Sequence, residues 1–192
     1  MDPLPRTPDR YAPEPFPQPP EMAAPLLMRR RRRWVLPLVL FLLTCIVVYD
    51  TGGWVYAACL MTILVCHEMG HFVQTLRYGV HATFPFFIPM PAGPIGTMGA
   101  VIAMEPRVGD RRAVFDIGIS GPLAGLVPTL LFCVIGLQHS KIVAIVPGLS
   151  YLGTPLVFQF LSDRIVGVPP PGTDVLLHPM AYAGWVGLLL TA

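Results

Sequence analysis

This chain is poor in charge. Only 12% of its 192 residues are Asp, Glu, Lys or Arg, while 54% are hydrophobic. Soluble globular domains carry about 25% charged residues, so a soluble domain this oily would be unusual, and a chain disordered from end to end is excluded. Cysteine is scarce as well. Cys45, Cys59, Cys66 and Cys133 all sit inside apolar runs without paired spacing. That excludes a disulfide framework and a zinc knuckle, and leaves reduced packing residues. Cys66 adjoins His67, but one helical step turns it away from its neighbour. The net charge of +2 excludes little, because its distribution along the chain carries the information.

What the chain has in abundance is apolar runs and proline. Residues 1–28 are proline-rich with no helical period, and read as a disordered, solvated cytoplasmic tail. Arg29 to Arg33 form an unbroken basic block abutting the apolar run WVLPLVLFLLTCIVVY. In that position the block is a topology anchor rather than a nucleic-acid binding patch. Four hydrophobic segments follow. They cover Trp34 to Tyr49, Trp54 to about Leu76, roughly Phe115 to Leu137, and Val175 to Ala192, with DTGG as a tight turn between the first two. The stretch IVAIVPGLSYLGTPLVFQFL is broken by Pro147, Gly148, Gly153 and Pro155, and is expected as a re-entrant or surface-lying helix pair. The fold class expected is therefore an all-α polytopic membrane protein: about four transmembrane helices, a Pro/Gly-rich re-entrant β-hairpin region and an interfacial helix. Residues 34–192 form its membrane-embedded core.

Arginine and lysine set the orientation. With the N-terminus inside, eleven basic residues, among them Arg77, Arg107, Arg111 and Arg112, fall on the inner side, against Lys141 and Arg164 outside. That is a positive-inside bias for a multi-pass protein with a cytoplasmic N-terminus, and it places the inner end of the second span in the cytoplasmic half.

Within that second span lies LVCHEMGHFV, Leu64 to Val73. On an α-helix residues four apart share a face, so His67 and His71 can bind one metal ion through imidazole nitrogen. Glu68 lies about 100° round from His67, placed to hydrogen-bond a water on the ion rather than to coordinate it. Zinc lowers the pKa of such a water toward 7, and a neighbouring carboxylate can take its proton and pass it to a leaving amine. At the residue frequencies of this chain, about 0.003 matches to His-Glu-x-x-His arise by chance. Three ionisable groups at depth in a span cost several kcal/mol if unpaired, which favours a Zn2+ site over polar groups that glue helices together. Gly70, between the histidines, lets another backbone or a substrate approach.

The second unusual stretch is FPFFIPMPAGPIGTMGAVIAMEP, Phe84 to Pro106. Its four prolines at 85, 89, 91 and 94 bar a helix interior, yet it is too apolar for an ordinary loop. Irregular backbone is tolerated at membrane depth only under cover of protein or beside a water cavity. Gly96 to Met104 reads as a short strand. Its free edge would re-satisfy the peptide groups of a membrane helix that had been unwound for cleavage. A packing loop is the plainer alternative.

HEMGH late in a span, the Pro/Gly hairpin, DIGISGPLAG opening the next span and HPMAYAGWVGLLLTA at the end form an ordered set. This set resembles the site-2 protease family of intramembrane zinc metalloproteases, in its bacterial and chloroplast-type members without an obvious PDZ domain. The likeness runs from Trp54 to Ala192. It implies His67 and His71 as zinc ligands and Glu68 as catalytic base. It also implies that Gly96, Thr97, Met98, Gly99 and Ala100 engage unwound substrate. Gly121 and Gly125 would pack the third span against the motif helix, as their small-xxx-small spacing also implies. The partners implied are a membrane-anchored protein substrate and the lipid bilayer, in a bacterial inner membrane, with regulated intramembrane proteolysis as the activity. The family's third ligand is an aspartate in an Asn-x-x-Pro…Asp-Gly stretch expected just beyond Ala192. The chain as given is thus expected to be C-terminally truncated and inactive alone, since none of Asp50, Glu105, Asp110 or Asp116 is a convincing substitute. His178 stands as a further candidate, either near the site or as a helix cap. Two other readings remain open. GISG at Gly118 to Gly121 resembles the motif of rhomboid serine proteases, with Ser120 as nucleophile and His178 as base. A metal transporter or scaffold would use the same His/Glu cluster along an ion path.

Overall fold

The computed structural model describes residues 34–104, 110–144, 153 and 155–191. The expected tail (1–28), the basic block (29–33) and Glu105 lie outside the described residues. The elements are α1 (Val35–Arg77), β1 (Phe86–Pro89), β2 (Thr97–Val101), α2 (Arg111–Gln138), β3 (Lys141–Ala144), α3 (Leu156–Ile165), β4 (Thr173–Leu176) and α4 (Pro179–Thr191). The chain is mostly helical, and α1 and α2 are long and apolar enough to cross a membrane.

α1 holds 43 residues and merges the first two expected segments. At 1.5 Å per residue a straight helix of this length would extend roughly 65 Å, about twice a bilayer's hydrocarbon core, but α1 is bent. The bend is at Gly53, with φ 76° and ψ −178°, a conformation open essentially to glycine alone. The expected turn at DTGG thus falls where two helical arms join, at a kink with Gly53 as its non-helical residue. Pro37 sits in the first turn of α1, where a missing N–H costs nothing.

α1, α2 and α4 pack together along small residues. A methyl added at Gly187 would lie 2.8 Å from both Ile63 and Thr129, and one at Gly184 would lie 2.6 Å from Cys133. Backbones can approach that closely only where side chains are absent, which is how helices associate when lipid removes the hydrophobic drive between them. Tyr56, Leu60 and Ile63 of α1 are fully buried, and Tyr56 and Leu60 share one apolar core with Cys133, Leu137, Ala183 and Val186. The outer faces are apolar too. Phe115, Ile119, Leu123, Val127 and Leu131 line the exposed side of α2, with Val127 71% exposed. A helix apolar both inside and outside suits lipid rather than water.

β1 and β2 form an antiparallel hairpin with Phe86 opposite Val101, Phe87 opposite Ala100 and Pro89 opposite Thr97. One residue of β1 therefore faces two of β2, Met98 and Gly99. This is a bulge in which Gly99 takes φ +94° and the Thr97 hydroxyl accepts the Gly99 N–H at 3.1 Å. The expected strand at Gly96 to Met104 is thus shorter than expected, with Met104 joined only by an isolated bridge to Ala82.

Three expectations are corrected. The broken stretch from Ile142 is not a helix pair among the described residues: Ile142 to Ala144 belong to β3, and only α3 is helical. β3 pairs antiparallel with β4, Lys141 opposite Leu176 through Ala144 opposite Thr173. That pairing claims Val175, so the last helix starts at Pro179 rather than at Val175. The third segment begins earlier than expected, because the Asp110 carboxylate accepts the Arg112 N–H at 2.9 Å and caps α2 ahead of its apolar run.

Candidate metal centre

The motif occupies the second arm of α1, beyond the kink. His67 and His71 lie on one face, as their four-residue spacing requires, and their Nε2 atoms stand 3.1 Å apart. The ring of His71 is oriented from α2: its Nδ1–H donates to the Ile117 carbonyl at 2.7 Å. A carbonyl only accepts, so that bond fixes the proton on Nδ1 and leaves the Nε2 lone pair facing His67. The Ile117 carbonyl also takes the Ser120 hydroxyl at 2.7 Å. His67 Nδ1 is buried with no hydrogen-bond partner among the described residues. Glu68, one step round the helix, is a buried carboxyl group, 6% exposed.

These features test whether a metal ion fits. Zinc–imidazole bonds are about 2.0–2.1 Å, so two nitrogens 3.1 Å apart can reach the same ion. In neutral imidazoles without an ion, two nitrogens so placed can share at most one proton, and the proton of His71 is already committed to Ile117. The pair fits as two ligands of one cation. Among the described residues no set of three His, Cys, Asp or Glu is grouped to hold a metal ion.

The wall of the site is glycine. A methyl at Gly121 would strike the His71 imidazole itself, and one at Gly125 would come within 3.1 Å of His67 Cβ and 2.9 Å of Thr191 on α4. Reciprocally, a methyl at Gly70 would strike the Ser120 carbonyl and lie 2.8 Å from Ala124. The motif helix and α2 thus meet through absent side chains on both partners. Below the motif, the Tyr78 hydroxyl donates to the Asp116 carboxylate, which also faces Arg112 at 4.0 Å. Tyr78 lies just past the end of α1, and by accepting its hydrogen bond the carboxylate holds the phenol above its ordinary range. With Asp116 so engaged and Asp110 capping α2, neither is directed at the histidine pair.

The other candidate residues fall in two places. Gly96, Thr97, Met98, Gly99 and Ala100 lie at the hairpin turn and along β2. That hairpin is tied to the motif arm at its root, where Phe84 stacks on Phe72 with ring centroids 5.8 Å apart. His178 lies elsewhere. Its Nδ1 accepts the Met180 N–H at 3.3 Å at the start of α4, and its ring stands 5.6 Å from that of His139, beyond the end of α2. The end of α4 that nears His67 carries Thr191, more than three helical turns from His178. His178 sits in a capping position at the start of α4, and among the described residues no bond joins it to Ser120, whose hydroxyl goes to Ile117. Two features were missed from the sequence: the Ile117 carbonyl, which no side-chain pattern signals, and the buried Tyr56. A hydroxyl in an apolar run demands a partner, and that was the available signal.

A kinked apolar helix bearing a convergent imidazole pair and a buried acid, walled by glycine, defines a membrane-type helical protein with a candidate metal centre. The model for peptidase family M50 matches residues 55–192, and the chain belongs to that family. It is 32% identical over 139 residues to the probable zinc metalloprotease EGY1, chloroplastic, of Oryza sativa subsp. japonica, covering 69% of this chain and 24% of that protein. It is 30% identical over 137 residues to the Arabidopsis thaliana protein of the same name, covering 68% and 24%. To the probable zinc metalloprotease EGY2, chloroplastic, of Arabidopsis thaliana it is 29% identical over 131 residues, covering 67% and 23%. The chain spans about a quarter of the length of these curated relatives. No solved structure matches it.

Proposed function

We propose that this chain carries the metal-binding core of an intramembrane zinc metalloprotease, which hydrolyses peptide bonds of unwound transmembrane segments. The observation that carries the proposal is the Nε2 pair, 3.1 Å apart beside a buried Glu68, with His71 locked by the Ile117 carbonyl. Family membership and the names of the relatives support it. His67 and His71 hold the ion, and a third donor comes from outside the described residues, since catalytic zinc sites normally have three protein ligands. Bound there, zinc supplies Lewis acidity toward water and the scissile carbonyl. Glu68 takes the proton of the attacking water and returns it to the departing amine, as the C–N bond breaks and the C–O bond forms. The glycine wall keeps the imidazoles close to α2 and excludes loose water from that side. β2 receives the unwound segment along its free edge, so that peptide groups freed from a helix regain partners.

In this reading the two arms of α1, together with α2 and α4, make four passes, the β1–β2 hairpin is re-entrant, and α3 lies in the interface. α3 exposes Leu156, Val157 and Phe160, while the Arg164 guanidinium sits 5.2 Å from the Phe160 ring centre, an arrangement suited to the headgroup boundary. The N-terminus is cytoplasmic by the arginine bias. The chloroplast setting of the relatives widens the expected membrane beyond a bacterial inner membrane alone. The physiological role proposed is regulated intramembrane proteolysis of an anchored protein.

Removal of the metal tests this reading. The protein, in a form that also carries the third donor, is reconstituted in vesicles with a single-pass helical peptide carrying a fluorophore and quencher. A chelator is expected to abolish cleavage, and stoichiometric zinc to restore it. Cleavage indifferent to the chelator would overturn the proposal and favour serine chemistry.

A further inference from the structure

The tip of the β1–β2 hairpin is held by a device that the metal chemistry does not use. Pro94 and Ile95 lie in a turn with prolines at 91 and 94, which have no N–H to offer, so the turn is poor in donors for its own carbonyls. Their carbonyls accept hydroxyls from two different helices. Tyr182 of α4 donates to Pro94 at 3.2 Å, and Tyr56 of α1 donates to Ile95 at 2.9 Å. The two rings stack with centroids 5.2 Å apart. Trp185 stacks on Tyr182 at 5.9 Å and donates its indole N–H to the Gly153 carbonyl at 3.1 Å.

The kink in α1 provides the seat. Gly52 has no side chain where a methyl would strike the Tyr56 ring. On the far side of the turn, Gly96 takes φ +83°, and a methyl there would lie 2.8 Å from Thr51 Oγ1 and 3.0 Å from the Val48 backbone. The tip thus rests in the elbow of α1 with a tyrosine bonded to each of two successive carbonyls. Tyr56 is fully buried, so its hydroxyl would leave an unsatisfied group if the turn moved away.

We propose that Tyr56 and Tyr182 are positioning residues that clamp the hairpin tip, so that β2 presents a fixed edge to an incoming extended segment. This rests on the reading of β2 as the substrate-binding strand. Thr97 opens β2 two residues after the clamped Ile95, and the Phe72–Phe84 stack holds the chain just before β1, so the hairpin is held at its tip and at its root. Between them, Met98 is 66% exposed and Val101 54% exposed, and among the described residues the sheet has two strands. A template held at both ends lowers the entropic cost of adding a strand, whereas a loose one orders itself on binding.

The test replaces Tyr182 by phenylalanine, which keeps the ring stack and deletes one hydroxyl, in the same reconstituted form that carries the third donor, with the fluorogenic helical peptide as substrate. Losing one hydrogen bond at the tip is expected to raise KM roughly fivefold, with kcat within about twofold and zinc content unchanged. Amide deuterium exchange over residues 95–101 is expected to quicken by a similar factor. Tyr56→Phe is expected to act in the same direction. Unchanged exchange in Tyr182→Phe would overturn the clamp, as would a loss confined to kcat. The exchange readout needs no proteolysis, so it judges the clamp even if the metalloprotease reading fails. That reading is judged by the chelator and by Glu68→Gln.

Discussion

Glu68→Gln is expected to eliminate cleavage of the helical peptide while leaving zinc in place. Glutamine matches glutamate in size and keeps the buried shape at a position only 6% exposed, so packing changes little. What disappears is the capacity to accept a proton. A positioned general base contributes about 10²–10⁴ in rate, so kcat is expected to fall by at least about a hundredfold. The imidazoles do not depend on Glu68: the proton of His71 is fixed by Ile117, and the two Nε2 atoms face one another. Zinc content measured on the purified variant should therefore equal that of the wild type. A transport or scaffold role would give altered metal flux with no proteolysis in either protein. Retained cleavage in Glu68→Gln would remove the carboxylate from the mechanism altogether.

Gly121→Ala is expected to damage the metal centre from the neighbouring helix, although the residue holds no ligand. The added methyl has nowhere to go, since the His71 imidazole occupies its place. Either α1 and α2 separate or the ring turns, and turning breaks the 2.7 Å bond to Ile117 that sets its tautomer. Overpacking of this kind costs about 1–3 kcal/mol, and disturbing a partner that orients a metal-ligating histidine typically costs 10–100-fold in metal affinity. Zinc affinity is expected to drop within that range, with cleavage falling alongside. Gly118→Ala is the control. It lies on the same helix less than a turn away, and a methyl there meets nothing within 4 Å. Its zinc affinity and cleavage are expected to stay near wild type. Equal losses in both variants would mean that the effect is general helix disturbance rather than contact with His71.

The residues that lay on one helix could be read from the sequence, and those that depend on distant partners could not. His67, Glu68 and His71 sit within five positions, and helical periodicity alone orients them. Gly121 and Gly125 carried their four-residue spacing in plain view, and the structure places them against His71 and His67. The β3–β4 pairing, by contrast, joins Lys141 to Leu176 across a broken apolar stretch, and no local pattern distinguishes such a strand from the start of a helix. Its omission also displaced the start of α4. DTGG read as a turn because of its two glycines, and the backbone does break there, at Gly53, before the second helical arm begins. The tyrosine clamp spans 39 residues for Tyr56 and 88 for Tyr182, so it was invisible until the hairpin had been placed. His178 was ambiguous between a site residue and a cap, because both readings share the same histidine before a proline, and in the structure its Nδ1 accepts the Met180 N–H.

The account depends on the Nε2 atoms of His67 and His71 sharing one cation. X-ray absorption at the zinc K-edge on the purified protein reads this most directly, because imidazole ligands give a characteristic outer-shell scattering. The expected spectrum shows zinc with two imidazole nitrogens at about 2.0–2.1 Å, the imidazole signal halved in His71→Ala. Zinc bound without imidazole scattering, or a spectrum unchanged by His71→Ala, would contradict it.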